Sequence, residues 1–274
     1  MDKVVGVDRL LDAVSSARCL SFGGGEHRRK PMAAVAAIAR SDLGPFDLDV
    51  FLGGPDVDLL IGYGKVRRLK FAFMGIGPLG LLPNFRAARE SGGLEVVESS
   101  EYLILAGYEA AAHSVPFMPT RSGLGTDVLT RPNTPYREIA CPLTGEPLVA
   151  VPASKIDIAI VHVNVADRRG NCLVYGDPFV DELLSRAAGS VWVTAESVVD
   201  RLPPLDERPA HTFISRVWVA GVVEAPGGAG FTGTYPVSLV DLDAAADYQA
   251  HALDPRWRDG YTAAAAGLLG GGAR

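Results

Sequence analysis

Cysteine is scarce in this sequence, with three residues among 274, and their positions exclude two classes of small stabilised protein. Cys19, Cys141 and Cys172 lie far apart and form no CxxC pair. Disulfide frameworks use an even set of cysteines, and structural zinc sites use closely spaced pairs. The sequence therefore encodes neither of them, and we expect three reduced, unpaired thiols.

Long hydrophobic runs and surplus positive charge are also missing. Charged residues, prolines or glycines interrupt every apolar stretch before the roughly 18 residues that a bilayer span needs. The 26 Lys and Arg residues are outnumbered by 32 Asp and Glu, and the net charge of -6 argues against general affinity for nucleic acid. Residues 1–9 lack the apolar segment of a secretory signal. We therefore expect a cytoplasmic protein with neither a membrane nor a nucleic acid as partner.

Several nucleotide-binding and catalytic motifs are absent. The chain has no GxxxxGK[ST] loop, no GxGxxG followed by an acidic residue about 20 positions later, and no GxSxG nucleophile elbow. His27 and His113 have no metal-ligand spacing, and His162 lies in an apolar run, where a core histidine is expected. The sequence predicts no metal site, disfavours a serine or cysteine hydrolase and gives little support to a nucleotide-dependent enzyme.

Short apolar runs alternate with helical patterns along most of the chain. This alternation is typical of βαβ units, so we predict an α/β fold with a mainly parallel open sheet and flanking helices. The run from Ile156 to Val163 is β-branched and nearly continuous, which favours a central strand buried on both faces. Strands are predicted at residues 19–22, 49–52, 69–74, 94–97, 156–163, 191–194 and 217–223.

The organisation along the chain predicts one domain over residues 1–274, without an internal repeat. A proline-rich stretch at about 116–152 shows little periodicity and predicts an irregular lobe that projects from the sheet. Asp177 and Pro178 have the residue types of an N-cap and a first helical position, which predicts a helix through Ala188. The Ala/Gly-rich tail at about 263–274 is predicted to be frayed.

A glycine loop followed by basic residues is the first candidate site. Gly23-Gly24-Gly25 follows a predicted strand, and His27-Arg28-Arg29-Lys30 precedes a helix that Pro31 can start. Free backbone N–H groups and the positive end of a helix can converge there on a carboxylate or phosphate. The alternative is a tight turn with solvated arginines.

Two carboxylates and an arginine form the second candidate site. Glu98 and Glu101 lie at the end of a predicted strand and the start of a helix, at the sheet edge where ligands collect in α/β folds. Either carboxylate is a candidate catalytic group, or simply a favourable charge at a helix N-terminus. Arg121 can orient a carboxylate or thioester oxygen through its planar donor fork, or belong to a structural ion pair.

Several segments carry a family likeness through their order and spacing: residues 29–31, 64–66, 110–112, 116–119, 123–126, 149–152 and 157–162. Together they resemble the alpha subunits of class I coenzyme A transferases, typified by glutaconate CoA-transferase. A narrower likeness lies in residues 28–33, 53–56 and 223–229. These resemble the alpha subunits of actinobacterial hydrolases that open a steroid ring.

The resemblance implies an α/β fold, a partner beta subunit in a heterodimer or heterotetramer, and an active site in the cleft between the subunits. The transferases carry their nucleophilic glutamate in a Ser-Glu-Asn-Gly segment of the beta subunit, and this chain has no such segment. In the hydrolase-like branch an alpha-chain glutamate is implicated, which Glu101 matches, with Glu98 as the fallback. Arg121 matches an active-site arginine. No bound cofactor is expected, since coenzyme A arrives as part of the substrate.

These observations leave several functions open. The first is an enzyme subunit that handles acyl-CoA thioesters, either by CoA transfer or by hydrolysis of a C–C bond in a cyclic β-diketone. In either case Gly24, Gly25 and Arg28 are hypothesised to form the acyl pocket, with Glu101 as acid or base and Arg121 holding an acyl carboxylate. A second is a binding module that keeps the fold without chemistry, because fold does not imply function. A third is a metabolite-binding or nucleotide-dependent protein.

Overall fold

The computed structural model describes residues 1–269, which form eight α-helices and twelve β-strands. The helices are α1 (Val7–Ser15), α2 (Met32–Arg40), α3 (Pro55–Gly62), α4 (Pro83–Glu90), α5 (Glu101–Ala112), α6 (Asp181–Ala187), α7 (Leu242–His251) and α8 (Pro255–Ala266). The strands are β1 (Cys19–Phe22), β2 (Phe46–Gly53), β3 (Val66–Met74), β4 (Glu95–Glu98), β5 (Phe117–Thr120), β6 (Arg137–Ala140), β7 (Pro147–Pro152), β8 (Ile158–Asp167), β9 (Cys172–Val174), β10 (Ser190–Val199), β11 (Thr212–Ile214) and β12 (Val219–Glu224).

Seven strands form a parallel sheet in the order β4-β3-β2-β1-β8-β10-β12, which confirms the predicted fold class. The predicted central strand is β8, which is buried along nearly its whole length. Its far end runs past β1 and pairs there with β9, which pairs with β11, both antiparallel. These two three-residue strands were not predicted, because three residues are too few to show a period.

Alternate residues of the central strand enter two different hydrophobic layers. Ile158 and Ile160 pack in the layer that contains α1 to α4, whereas Ala159, Val161 and Val163 pack in the layer that contains α5 and α6. Side chains alternate across a strand, so a strand that is apolar at every position has to be covered on both faces. The sheet is therefore the middle layer of three.

The proline-rich lobe is more regular than predicted. It contains a three-stranded antiparallel sheet in the order β5-β7-β6. Three of the seven prolines in residues 116–152 belong to these strands, since Pro119 lies within β5 and Pro147 and Pro152 bound β7. The lobe packs on α5 through Leu103, Tyr136 and other apolar side chains.

Two further predictions differ from the structure. Asp177 does not cap α6; its carboxylate accepts the N–H of Phe179 at 2.9 Å in a turn, and α6 begins four residues later, at Asp181. Residues 263–266 of the predicted frayed tail continue α8, and residues 270–274 lie outside the described residues. None of the helices formed by residues 1–269 combines the length and the apolar character needed to cross a membrane.

Asp58 is a buried carboxyl that connects three helices. Its oxygens accept hydrogen bonds from the side chain of Asn84 at 2.9 Å, the N–H of Phe85 at 2.8 Å and the hydroxyl of Tyr248 at 2.9 Å. Burial raises the pKa of Asp58 to about 6, and the three donors only partly oppose this shift. A carboxyl group whose pKa is higher in the folded than in the unfolded state stabilises the fold at pH values below its unfolded-state pKa. This stabilisation is lost as the pH rises through its folded-state pKa.

We expect Asp58→Asn to reduce this pH dependence. Because asparagine stays neutral, the stability of the variant relative to the wild type should rise by about 2 kcal/mol between pH 4 and pH 7.5. Urea unfolding at a series of pH values measures this difference. Asp243→Asn, at an exposed position in the first turn of α7, serves as the control, with a smaller dependence. A difference for Asp58→Asn that does not change with pH would contradict the expectation.

Candidate active site

The glycine loop lies at the topological switch point of the sheet, where the strand order reverses. From β1 the chain adds β2, β3 and β4 towards one edge, and from β8 it adds β10 and β12 towards the other. Such a switch point leaves a crevice at the carboxyl ends of the two central strands. Residues 23–31 connect β1 to α2 at this crevice.

Gly24 and Gly25 hold positions that a side chain would not tolerate. Gly24 has a φ of +77°, and a Cβ there would lie 2.5 Å from the carbonyl oxygen of Arg28. A Cβ on Gly25 would lie 2.3 Å from the ring of Phe179. The N–H of Gly24 donates to Oδ1 of Asp181 at 2.8 Å, so the start of α6 holds the loop against the sheet.

The basic residues of the loop have different roles from those predicted. Arg29 is buried and donates to the carboxylate of Asp181 and to the carbonyl oxygen of His162. Lys30 is fully buried, with Nζ 3.1 Å from Oδ2 of Asp56 and 2.6 Å from the carbonyl oxygen of Leu52. Both cations therefore belong to buried structural ion pairs and are neither solvated nor free to bind an anion. Arg28 is the exposed cation of the loop.

The centre of the loop presents unused backbone donors. Within residues 1–269, the N–H groups of Glu26, His27 and Arg28 have no hydrogen-bond acceptor, whereas their neighbours on both sides do. The carboxylate of Glu26 accepts the N–H of Gly77, beyond the end of β3, at 3.2 Å. Burial lowers the pKa of His27, which opposes a positive charge on its ring. The loop thus spans the ends of three strands and can offer N–H groups to an oxygen.

Arg28 borders a cavity next to the glycine loop. The cavity, of about 200 Å³, is also lined by Phe179, Tyr235 and other residues of the 175–179 and 232–240 segments. Gly24 and Gly25 precede Arg28 in the same loop. This cavity does not contain Glu98, Glu101 or Arg121.

The two candidate glutamates have different surroundings. Glu98 lies 3.6 Å from Arg89 and 3.5 Å from Arg131, so two ion pairs occupy its carboxylate. Glu101 is the first residue of α5; it is exposed and has no ion pair within residues 1–269. Ser100 caps this helix by accepting the N–H of Leu103 at 3.4 Å. Glu101 is therefore the carboxylate that is free to meet a ligand.

Arg121 lies close in the fold to the start of α5. Its neighbour Ser122 contacts Ser100 through their hydroxyl oxygens at 3.1 Å, which joins the end of β5 to the N-cap of Glu101's helix. The guanidinium is exposed and donates to Oε2 of Glu146 at 2.5 Å. Arg121 must therefore exchange this partner in order to bind an acyl carboxylate.

The predicted site residues form two groups at the same edge of the sheet. Gly24, Gly25 and Arg28 follow β1, while Glu101 and Arg121 lie at the end of β4 and on the lobe, with β2 and β3 between the groups. Within residues 1–269, no hydrogen bond or ion pair joins the two groups. Whether they act together stays a prediction from the family resemblance, which places a partner subunit over this edge.

A buried hydroxyl, imidazole and carboxylate were not predicted as a group. Nδ1 of His162 lies 2.8 Å from Oγ1 of Thr194, and its Nε2 lies 2.9 Å from Oε1 of Glu196. Glu196 also accepts the N–H of Gly227 at 2.7 Å. Thr194 pairs directly with His162 on adjacent parallel strands, and Glu196 follows two residues later on the same face. This register was the signal that could have revealed the group.

Burial decides what this group does. The side chains of His162 and Thr194 have no exposed surface, and burial lowers the pKa of His162. A nucleophile has to reach its substrate, so the group positions the 225–230 segment instead of performing catalysis. His162 is thus the core histidine that the sequence predicted. Across residues 1–269, no three or more His, Cys, Asp or Glu side chains are placed to hold a metal ion.

Comparison with known proteins decides the family. The family model described as coenzyme A transferase matches residues 8–225. The chain belongs to the coenzyme A transferase family. This confirms the resemblance on which the sequence analysis relied, and the family's α/β architecture agrees with the parallel sheet described above.

Three relatives of this family member are informative. This chain is 38% identical over 239 residues to the "Cholesterol ring-cleaving hydrolase IpdA subunit" of Rhodococcus jostii. The alignment covers 84% of this chain and 80% of the relative. The chain is 36% identical over 205 residues to a 3-oxoadipate CoA-transferase subunit of Pseudomonas knackmussii, covering 73% and 70%. The crystal structure of glutaconate coenzyme A-transferase from Acidaminococcus fermentans superposes with a TM-score of 0.85 at 27% identity, covering 96% of this chain and 88% of that one. Each of the two sequence relatives is named as one subunit of an enzyme.

Proposed function

We propose that this chain is the alpha-type subunit of a two-subunit enzyme that acts on an acyl-CoA thioester, and that the enzyme hydrolyses a C–C bond in a cyclic β-diketone. The observation that carries the hydrolytic assignment is the exposed carboxylate of Glu101 at the strand-end edge, which forms no ion pair within residues 1–269. The relative named as a ring-cleaving hydrolase aligns over 84% of this chain, which supports the same choice. The three free cysteines agree with a reducing compartment, and we propose the cytoplasm.

The proposed chemistry needs one base and one oxygen-binding group. Glu101 takes a proton from water, and the resulting hydroxide adds to one ring carbonyl carbon. The bond from that carbon to the carbon between the two carbonyls breaks, and the second carbonyl accepts the electron pair as an enolate. Glu101 then returns the proton to the enolate carbon, so the net reaction adds one water and yields a ring-opened carboxylate.

The remaining candidate residues bind the acyl part of the substrate. The unused N–H groups at the centre of the glycine loop can stabilise an oxyanion, while the conformation of that loop depends on Gly24 and Gly25. Arg28 is an exposed cation available to an acyl carboxylate, and Arg121 can bind one after it releases Glu146. A partner subunit would cover this edge, shield Glu101 and its reacting water from bulk solvent, and bring the two groups of residues into one cleft.

Coenzyme A transfer is the second candidate reaction. It is favoured by the 36% identity to a subunit named for 3-oxoadipate CoA transfer. Because this chain has no Ser-Glu-Asn-Gly segment, the nucleophilic glutamate of a transferase would belong to the partner. Glu101 would then have no covalent role.

Oxygen-18 labelling separates the two reactions. The chain is co-expressed with the product of its neighbouring gene and incubated with a cyclic β-diketone acyl-CoA in labelled water, with and without acetate. Hydrolysis predicts a ring-opened acyl-CoA that carries one oxygen-18 and forms at a rate independent of acetate. Acetyl-CoA that forms only with acetate would establish transfer and contradict the hydrolytic proposal. The absence of both products with a panel of acyl-CoA thioesters would favour a binding module.

A further inference from the structure

A cavity of about 690 Å³ lies at the far end of β8, away from the glycine loop. Asp167, at the end of β8, forms part of its wall, together with the segment that follows β10. Ile160 pairs with Phe22 at the end of β1, and the seven residue-to-residue steps from Ile160 to Asp167 span about 23 Å of strand. The cavity is therefore distinct from both groups of candidate catalytic residues, and its volume is typical of small-molecule sites.

Positive charge dominates the wall of this cavity. Arg169, Arg201 and Arg208 line it, and His211 lies beside them. None of these three arginines forms an ion pair with a carboxylate in the part of the chain that the structure describes. Nε of Arg208 donates to the carbonyl oxygen of Pro203 at 2.7 Å, and its terminal nitrogens have no acceptor among residues 1–269.

The one carboxylate in the wall is already occupied by other donors. Asp167 accepts the N–H groups of Arg169 and Asn171, each at 2.9 Å, and the side-chain amide of Asn171 at 2.7 Å. These bonds stabilise the turn without neutralising an arginine side chain. Asp206 and Glu207 follow in the next turn but do not line the cavity. Three arginines thus line one cavity, and no carboxylate of residues 1–269 forms an ion pair with any of them.

Apolar surface completes the cavity. Leu205 and Phe213 line it, and their exposed fractions are 72% and 42%. Exposed apolar side chains beside unpaired arginines suit a ligand that has a flat ring at one end and several negative charges at the other. Arginine forks match phosphate geometry, and an aromatic face stacks on a base.

We propose that this cavity binds the phosphate-bearing end of an adenine nucleotide. Two sources share this chemistry: the nucleotide end of the coenzyme A carried by the substrate, and a free adenine nucleotide. The first source rests on the proposed function, whereas the second does not. The site itself is defined by the arginines and does not depend on which reaction the enzyme performs.

Calorimetric titration of the full chain, alone and with its partner subunit, tests the site. The probes are coenzyme A, adenosine 3′,5′-bisphosphate and ADP, each at two salt concentrations. We expect the wild type to bind at least one probe, more weakly at high salt. Arg169→Ala and Arg201→Ala should each weaken that binding at least about tenfold. Arg168→Ala is the matched control, because Arg168 pairs with Asp2 and Asp200 and does not line the cavity, and it should change binding less than about twofold.

Each outcome has a definite meaning. Competition between coenzyme A and adenosine 3′,5′-bisphosphate identifies the substrate as the source, and ADP binding that leaves coenzyme A binding unchanged identifies a free nucleotide. No binding of any probe, or an equal loss in all three variants, overturns the proposal. If Arg169→Ala and Arg201→Ala lose binding while turnover persists, the result supports the site and identifies a free nucleotide as its ligand. Absent turnover with intact binding refutes the proposed reaction but not the site.

Discussion

Glu101→Gln is expected to lower kcat of the assembled enzyme by about 10³-fold. Glutamine keeps the size and the polarity of the side chain but cannot take a proton from water, and proton transfer by a positioned group contributes 10²–10⁴-fold. The folded chain should be almost unaffected, because Glu101 is exposed and loses only a favourable charge at a helix start, worth about 0.3–1 kcal/mol. Steady-state turnover of the acyl-CoA substrate measures the effect, and gel filtration measures assembly with the partner.

Glu98→Gln is the matched control for this prediction. It removes a carboxylate from the same segment, but one that pairs with Arg89 and Arg131. We expect a change in kcat of less than about fivefold, together with a small loss of stability typical of exposed ion pairs. If Glu101→Gln retains wild-type turnover, or if Glu98→Gln causes the larger loss, the role assigned to Glu101 is wrong.

Asp181→Ala is expected to destabilise the chain by about 3–5 kcal/mol. Asp181 is fully buried, and its carboxylate accepts from the guanidinium of Arg29 and from the N–H of Gly24. Removal of one member of a buried ion pair leaves the other charge without a partner in a poorly solvated place. Denaturant unfolding measures the loss, and the acyl-CoA KM should rise as well, because the glycine loop loses its anchor.

Two further variants separate this cause from simple loss of packing. Asp177→Ala removes a nearby exposed carboxylate that accepts only a turn N–H, and it should cost less than about 1 kcal/mol. The double variant Arg29→Met with Asp181→Leu removes both charges, and it should recover much of the stability that Asp181→Ala loses. A double variant no more stable than Asp181→Ala would show that the penalty does not come from an unpaired charge.

The parallel sheet was predictable because its strands carry their own signal. Short apolar runs identified β1, β2, β3, β4, β8, β10 and β12, and glycines and prolines marked the ends of several of them. The lobe was harder to predict. Two of its three strands contain proline and all three are partly exposed, so neither a continuous run nor a clean alternation was visible.

The candidate site was predictable in location but not in electrostatics. The sequence located the glycine loop and the two glutamates at strand ends, but it could not show that Arg29 meets Asp181, 152 positions later. Nor could it show that Lys30 meets Asp56 in the core. Pairing between distant charges depends on the tertiary fold, so basic residues in a loop carry no sign of being buried. The family resemblance already favoured Glu101 over Glu98, but the sequence could not show that Glu98 pairs with Arg131 of the lobe.

The strand order also determines when each half of the sheet can be completed during synthesis. The strands from β1 to β4 emerge first and are sequence neighbours, so they can associate while the ribosome is still translating. The other edge of β1 stays unpaired until residues 158–160 of β8 have been synthesised, because these residues pair with residues 20–22. Until those residues emerge, the nascent chain carries an open strand edge that can template incorrect pairing. Synthesis that pauses within the lobe would prolong that exposure, and β1, at only four residues, keeps the exposed edge short.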